Sequence, residues 1–218
     1  MVYAALSSGG KDSVLACQKA IDAGLDVRYL VTIRPDNPDS YMFHSANLDA
    51  VRVIADAAGM EYVEIRSGGV KEAEIVELEA GLSALPVEGI VTGAVDSVYQ
   101  RDRLAAIAER LGLELVSPLW HMDPEVLLRE VAARMDAIIV VTAADGLDES
   151  FLGAHFDDAL IERLKRVAVA RHIHLAGEGG EYETLTLDAP FLRRPVTYAS
   201  AEVRVSPGRS ELVLRGFA

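Results

Sequence analysis

A glycine-rich stretch near the N-terminus has the residue types that bind phosphate. It follows the apolar run of residues 2–6, precedes a helix-periodic segment, and consists of Ser8, Gly9, Gly10, Lys11, Asp12 and Ser13. Glycines without Cβ atoms let backbone N–H groups approach an anion, and the N–H groups at the start of a helix face the same anion. Lys11 adds a cation, and the serine hydroxyls add donors. We call residues 8–13 the phosphate loop and expect it to bind nucleotide phosphates.

The spacing of the phosphate loop differs from the two commonest nucleotide motifs. It lacks the G-x-x-x-x-G-K-[ST] spacing of phosphoryl-transfer loops and the G-x-G-x-x-G of dinucleotide folds. Three roles remain open for Asp12: ordering the loop, binding a Mg²⁺ ion on the phosphates, or capping the helix.

A second cluster of polar residues occupies residues 177–184, which we call the acidic loop. Its eight residues include three glycines and three glutamates, Glu178, Glu181 and Glu183. Such a composition disfavours helix and strand, so one interpretation is a solvated acidic turn. In the other, Glu181 and Glu183 project together at strand spacing and attract a cation or Mg²⁺, while Tyr182 adds an aromatic face.

A third group of residues follows the fourth predicted strand. If the strand order is 3-2-1-4-5, strands one and four are neighbours at the reversal, where ligands bind in open parallel sheets. Gly93 then faces the phosphate loop, and Gln100, Arg101 and Arg103 can reach phosphates or a carboxylate. In the alternative interpretation, Ser97 and Gln100 only cap a helix and the arginines are solvated.

Alternating strand and helix patterns must position these groups. Five short apolar segments separated by helical periodicity cover the first 120 or so residues and predict a parallel sheet with helices on both faces. After residue 122 the pattern changes to two helices, one apolar strand and a β-rich tail. We therefore predict an α/β chain with a Rossmann-like nucleotide-binding domain at residues 1–122 and a smaller α+β domain at residues 123–218, which binds the substrate.

The amino-acid composition argues against two classes of binding partner. The chain has 34 acidic and 21 basic side chains and a net charge of −13, with no basic cluster, so we expect no nucleic-acid partner. It has no apolar run of the roughly 20 residues that span a bilayer and no secretion signal, so we expect no membrane partner. The single cysteine, Cys17, lies on an apolar helical stripe and is expected to be buried. A cytoplasmic location fits these features.

The motifs together resemble one family, the diphthine–ammonia ligases of the N-type ATP pyrophosphatase superfamily, in their short archaeal-type form. The resemblance covers roughly residues 5–195. It is carried by residues 8–13, 41–44, 47, 99–101, 103, 111–113, 118–120, 146–150, 152–153, 177–184, 187–188 and 190. Two positions depart from the family pattern, Ala105 in place of the usual glutamate and Ala154 in place of the usual arginine.

The resemblance implies an adenylating amide ligase. ATP, with its Mg²⁺, would activate the carboxylate of diphthine, a modified histidine on elongation factor 2, and ammonium would supply the nitrogen of the amide. A homodimer is an open alternative to a monomer. Another enzyme of the superfamily that adenylates tRNA, or a non-catalytic adenine-nucleotide-binding protein, would use the same phosphate loop.

Each predicted role can be assigned to numbered residues. Lys11 and Asp12 are the expected catalytic residues, and Asp12 is also the candidate Mg²⁺ ligand. ATP and pyrophosphate are expected to contact Ser8, Gly9, Gly10, Lys11, Asp12, Ser13, Gly93, Gln100 and Arg101. The substrate is expected to contact His44, Asn47, Arg103, Glu178, Glu181, Tyr182 and Glu183.

Overall fold

The computed structural model describes residues 1–36, 47–68 and 73–218. Among the predicted site residues, His44 lies outside the described residues. In the first half of the chain the elements are β1 (Val2–Leu6), α1 (Lys11–Asp22), β2 (Asp26–Pro35), α2 (Asp49–Ala58), β3 (Glu61–Ser67), α3 (Ala73–Ser83), β4 (Gly89–Val91), α4 (Val98–Leu111) and β5 (Glu114–Val116). In the second half they are α5 (Pro124–Arg134), β6 (Asp136–Thr142), a 3₁₀ helix (Glu149–Phe151), α6 (Asp158–Arg171), β7 (Tyr182–Asp188), β8 (Ser200–Ser206) and β9 (Arg209–Arg215).

The first sheet has the predicted architecture. Its five strands are parallel and lie in the order β3-β2-β1-β4-β5. The centre of β1 is buried, as expected for a strand covered by helices on both faces. The strand order reverses between β1 and β4, so the segments that follow these two strands emerge side by side at the carboxyl edge of the sheet.

The second sheet confirms the smaller α+β part of the chain. Its strands lie in the order β7-β6-β9-β8, and every neighbouring pair is antiparallel. The apolar strand β6 is buried along nearly its whole length. A single hydrophobic cluster joins the two sheets, because Leu15 and Ile54 of the first half pack in it with Ile139 and Leu185 of the second. The division at residue 122 stays a prediction.

Several helices begin or end at residues that are typical caps. The Asp123 carboxylate accepts the N–H groups of Glu125 and Val126 at 3.0 Å, and Pro124 occupies the first turn. Ser97 Oγ accepts the Gln100 N–H at 3.4 Å. Gly59 and Gly112 take the left-handed conformation that ends α2 and α4.

Helix α6 begins at Asp158, because Asp157 caps it by accepting the Leu160 N–H at 2.7 Å. Strand β7 begins at Tyr182 and β8 at Ser200. Among the described residues, we find no helix with the length and apolar character needed to cross a bilayer.

Candidate functional site

A cleft lies at the carboxyl edge of the first sheet, between the ends of β1 and β4, and the acidic loop forms its far wall. Of the predicted site residues, the cleft is lined by Ser8, Gly10, Lys11, Asp12, Ser13, Gly93, Gln100, Glu178, Tyr182 and Glu183. Three segments far apart in the chain therefore meet at one place. This is the position where open parallel sheets bind ligands.

Hydrogen bonds to β7 fix the backbone of the phosphate loop. Gly9 has a φ of 78°, a conformation that favours glycine, and its carbonyl accepts the Thr186 N–H at 2.8 Å. The Lys11 N–H donates to Thr184 Oγ1 at 2.9 Å. Gly10 is the N-cap residue of α1 and Asp12 lies inside the helix, so the interpretation of Asp12 as the helix cap is wrong.

Lys11 connects the two walls of the cleft. Its side chain is nearly completely buried, and its Nζ donates to Asp12 Oδ2 and to the Ala176 carbonyl, each at 2.7 Å. The same ammonium lies 5.3 Å from the centre of the Tyr182 ring. A buried cation needs such partners, because removal from water is costly. The position of Lys11 is thus set by both halves of the chain.

Gly93 brings the end of β4 into direct contact with the start of α1. A Cβ atom at this position would lie 2.7 Å from Ser13 N and 2.8 Å from the Asp12 carbonyl carbon. These are backbone atoms, which cannot move aside as a flexible side chain can. Only glycine permits this close packing.

The two arginines of the following helix lie outside the cleft lining. The Arg101 guanidinium lies 4.5 Å from the centre of the Trp120 ring, and that of Arg103 lies 3.4 Å from the centre of the Tyr99 ring. Both guanidinium groups therefore contact an aromatic ring. Of the three side chains predicted to reach phosphates or a carboxylate, that of Gln100 lines the cleft.

Two side chains of the acidic loop support the loop itself. The carboxylate of Glu181 accepts the N–H groups of His174 and Gly179, each at 2.8 Å. Tyr182 is 3% exposed and its hydroxyl donates to the Leu175 carbonyl at 2.9 Å, while burial raises the pKa of this phenol. Glu181 and Glu183, which were expected to attract a cation together, have different partners: the Glu181 carboxylate binds backbone N–H groups, whereas that of Glu183 pairs with Arg209.

The other two glutamates line the cleft. The Glu183 carboxylate pairs with Arg209 at 3.1 Å, and the Glu178 carboxylate accepts the Asp96 N–H at 3.2 Å. Burial, and then the negative charge of Asp12, raise the pKa of Glu178 above its ordinary value. The cleft therefore brings a second carboxylate close to Asp12.

Asp96 forms a contact network that the sequence did not indicate. Its carboxylate lies 3.1 Å from His121 Nδ1 and 3.6 Å from His174 Nε2. Nδ1 of His174 accepts the N–H groups of Ala176 and Glu178 at 3.2 and 3.4 Å, so Nε2 is the nitrogen able to donate to Asp96. The network fixes the acidic loop on the first sheet. The only sequence signal was the position of Asp96 after a parallel strand.

Asn47 binds backbone groups away from the cleft. Its Nδ2 donates to the Leu212 carbonyl at 3.0 Å, and its Oδ1 accepts the Leu214 N–H at 2.9 Å. The side chain thus occupies the position of a strand neighbour of β9. It lines a separate depression between α2 and the C-terminal residues.

Asp12 offers an oxygen ligand that suits a magnesium ion arriving with phosphates. Within the described ranges, no three His, Cys, Asp or Glu side chains are grouped closely enough to bind a metal. Asp12 Oδ1 is buried and accepts no hydrogen bond from the described residues. One free carboxylate oxygen beside a phosphate site fits Mg²⁺, which takes most of its ligands from phosphates and water.

The fold and cleft define a nucleotide-binding α/β protein, and comparisons with known proteins identify its family. The model of the diphthamide synthase N-terminal domain matches residues 1–115, and that of the C-terminal domain matches residues 123–207. The chain is 35% identical to the human diphthine–ammonia ligase, over 93% of this chain and 85% of that protein. Identity to the zebrafish (Danio rerio) diphthine–ammonia ligase is 31%, over 90% of this chain and 86% of that protein.

Two further comparisons cover a longer and a more distant protein. The Schizosaccharomyces pombe diphthine–ammonia ligase is 32% identical over 91% of this chain, which covers 36% of that protein. A solved chain from Methanocaldococcus jannaschii is described as a predicted subunit of tRNA methyltransferase. The match covers 87% of this chain and 98% of that one, at 17% identity and a TM-score of 0.47. This similarity is too low to support a conclusion. The chain belongs to the diphthine–ammonia ligase family, a family of carbon–nitrogen ligases.

Proposed function

We propose that the chain completes diphthamide synthesis: it adenylates the carboxylate of diphthine on elongation factor 2 and converts it to the amide with ammonium, releasing AMP and pyrophosphate. Family membership supports the diphthamide step. Residues 1–122 would bind ATP, and residues 123–218 would contribute the acidic loop that meets diphthine.

One observation carries this proposal: the phosphate loop and the acidic loop share one cleft, and Lys11 is held between its two walls. Its ammonium contacts Asp12 on one side and the Ala176 carbonyl on the other. Adenylation needs an anion site and a carboxylate site next to each other, because the two reactants must meet at the α-phosphorus. The cationic wall suits the phosphates of ATP, and the acidic wall suits the quaternary ammonium that diphthine carries beside its carboxylate.

In the first step a carboxylate oxygen of diphthine attacks the α-phosphorus of ATP. The bond from that phosphorus to the bridging oxygen breaks, and pyrophosphate leaves with the electron pair. In this proposal the Lys11 ammonium and the remaining N–H groups in the first turn of α1 would stabilise the charge that develops on pyrophosphate. Mg²⁺ on the phosphates would supply further positive charge, with Asp12 Oδ1 as its candidate protein ligand.

In the second step the nitrogen of ammonia attacks the acyl carbon of the adenylate. AMP leaves with the oxygen that came from the carboxylate, and the nitrogen loses a proton as the amide forms. Ammonia is taken from solution in this proposal. Burial raises the pKa of the Cys17 thiol to about 12, so this cysteine is unsuited to release ammonia from glutamine.

The quaternary ammonium of diphthine is matched by Glu178 and Glu183. Such a group donates no N–H hydrogen bond and is best met by carboxylates and aromatic faces. Of the predicted substrate residues in the acidic loop, Glu178 and Glu183 offer carboxylates at the cleft. We assign supporting roles to Glu181 and Tyr182, whose polar atoms bind the loop backbone.

The test is a reconstitution with purified chain, Mg-ATP and ammonium, with and without elongation factor 2 that carries diphthine. AMP and pyrophosphate should form only when the modified factor is present, and mass spectrometry should detect the amide on its histidine. Factor with unmodified histidine is the matched control. AMP formation that needs tRNA, or none with any substrate, would contradict the proposal.

A further inference from the structure

Strand β8 is an edge strand that remains exposed over its whole length. It lies at the end of the second sheet, next to β9, and all seven of its residues are exposed. Val203 and Val205 are 52% and 67% exposed, although their partners in register, Leu212 and Ser210, are buried. Cross-strand partners point to the same face, so β8 extends the apolar face of the sheet beyond the core.

The free side of β8 also presents backbone hydrogen-bonding groups. A two-residue turn at Pro207 and Gly208 joins β8 to β9, which makes Ser206 and Arg209 a hydrogen-bonded pair. Alternation along an antiparallel pair then directs the N–H and C=O groups of Ala201, Val203 and Val205 away from β9. In the described part of the chain no further strand pairs with this edge.

The charges of β8 are symmetric about its centre. Glu202 and Arg204 lie on either side of Val203 and point to the opposite face from it. Within one chain they form an exposed ion pair at 3.0 Å. A two-fold axis through Val203 places Glu202 of one copy opposite Arg204 of the other. The strand is therefore complementary in charge to an antiparallel copy of itself.

We propose that two copies of this chain pair along β8, antiparallel and centred on Val203, so that their four-stranded sheets join into one continuous sheet. Val203 then faces the partner's Val203, and Ala201 faces the partner's Val205. Glu202 lies opposite the partner's Arg204, and the symmetry makes this pair twice. The groups of Ala201, Val203 and Val205 that face solvent in one chain bond to the same groups of the other.

This interface lies on the second sheet at the strand furthest from β7, whereas the cleft adjoins β7. It is independent of the proposed ligase function. An interface built on one strand pair is small, so the dimer should dissociate on dilution.

The test is sedimentation velocity of the full chain over a concentration series up to about 1 mM, the weak end of specific affinities. The wild type should form a dimer. Arg204→Glu places like charges opposite each other at both symmetric positions, as does Glu202→Arg, so each single variant should weaken dimerisation at least about tenfold. The double variant Glu202→Arg/Arg204→Glu restores opposite charges and should restore the dimer.

A matched control exists on the first sheet. Arg28 and Asp26 are also an exposed pair two residues apart on a strand, at 2.6 Å, so Arg28→Glu should leave dimerisation unchanged. Circular dichroism checks that each variant is folded. A wild type that stays monomeric, single variants that dimerise as the wild type does, or a double variant that remains as weak as the single ones would each overturn the proposal.

Discussion

The phosphate loop and the acidic loop form two walls of one cleft, but their side chains are held in different ways. In the phosphate loop the key cation, Lys11, is buried and fixed by two acceptors from opposite sides. In the acidic loop the charged groups are divided. Glu181 is used by the backbone of its own loop, while Glu178 faces the cleft at an electrostatic cost.

The difference separates residues that build a site from residues that act in it. A loop rich in glycine has few side chains to hold it, so some of its charged residues must bond to its own backbone. The phosphate loop does not need its own charged side chains for this purpose, because Thr184 and Thr186 of β7 bind its backbone. Three predictions test this comparison.

The largest effect is expected from Lys11→Ala. The substitution removes the charge that we propose stabilises the leaving pyrophosphate, so diphthine-dependent AMP formation should fall about 10²–10³-fold. The measurement is kcat for AMP release under conditions where circular dichroism shows folded protein. Lys19→Ala is the matched control, since Lys19 lies on the same helix and pairs with Glu130 at 2.9 Å. Turnover within about twofold of wild type in Lys11→Ala would remove Lys11 from the reaction.

A smaller effect is expected from Gly93→Ala, which forces apart the backbones of β4 and α1. The new methyl group meets atoms that cannot yield, so the free energy of unfolding should fall by about 1–3 kcal/mol and AMP formation should also fall. Urea denaturation measures the first quantity. In the control Gly68→Ala, the nearest atom is Glu77 Oε1 at 3.8 Å, and stability should hardly change. Equal stability of the two variants would contradict the close packing at Gly93.

The smallest effects are expected from substitutions of two glutamates in the acidic loop, measured by thermal denaturation. Glu181→Gln leaves one N–H without its acceptor and should lower the free energy of unfolding by about 1 kcal/mol. Glu178→Gln should instead raise the melting temperature at neutral pH. The pKa of Glu178 is raised in the folded state, so the folded chain resists its ionisation and the unfolded chain does not.

Because the pKa of Glu178 is raised in the folded state, the stability difference between wild type and Glu178→Gln depends on pH. Wild-type stability should decline, relative to Glu178→Gln, as pH rises from the ordinary glutamate value of about 4.3 through the raised pKa. Below that window both forms are neutral and the melting temperatures should converge. A melting temperature of Glu178→Gln below that of wild type at neutral pH would show that Glu178 supports the loop as Glu181 does.

Much of the first sheet was predictable because its signals are local. The five apolar strands and the cap at Ser97 follow from short-range patterns, and the reversal next to the phosphate loop agrees with the strand order assumed there. The roles of Glu181, Arg101 and Asn47 were not predictable, because each depends on a distant partner. The family resemblance named these positions without indicating which of them face the cleft.

The sequence by itself determined the alternation of strands and helices, the place of the phosphate loop and the family resemblance, because glycine spacing and apolar periodicity act within a few residues. Only the tertiary structure decided which charges meet in the cleft. Lys11 is 165 residues from Ala176, and Asp96 is 82 from Glu178. Such contacts arise when two sheets pack on one core, so no pattern along the chain specifies them.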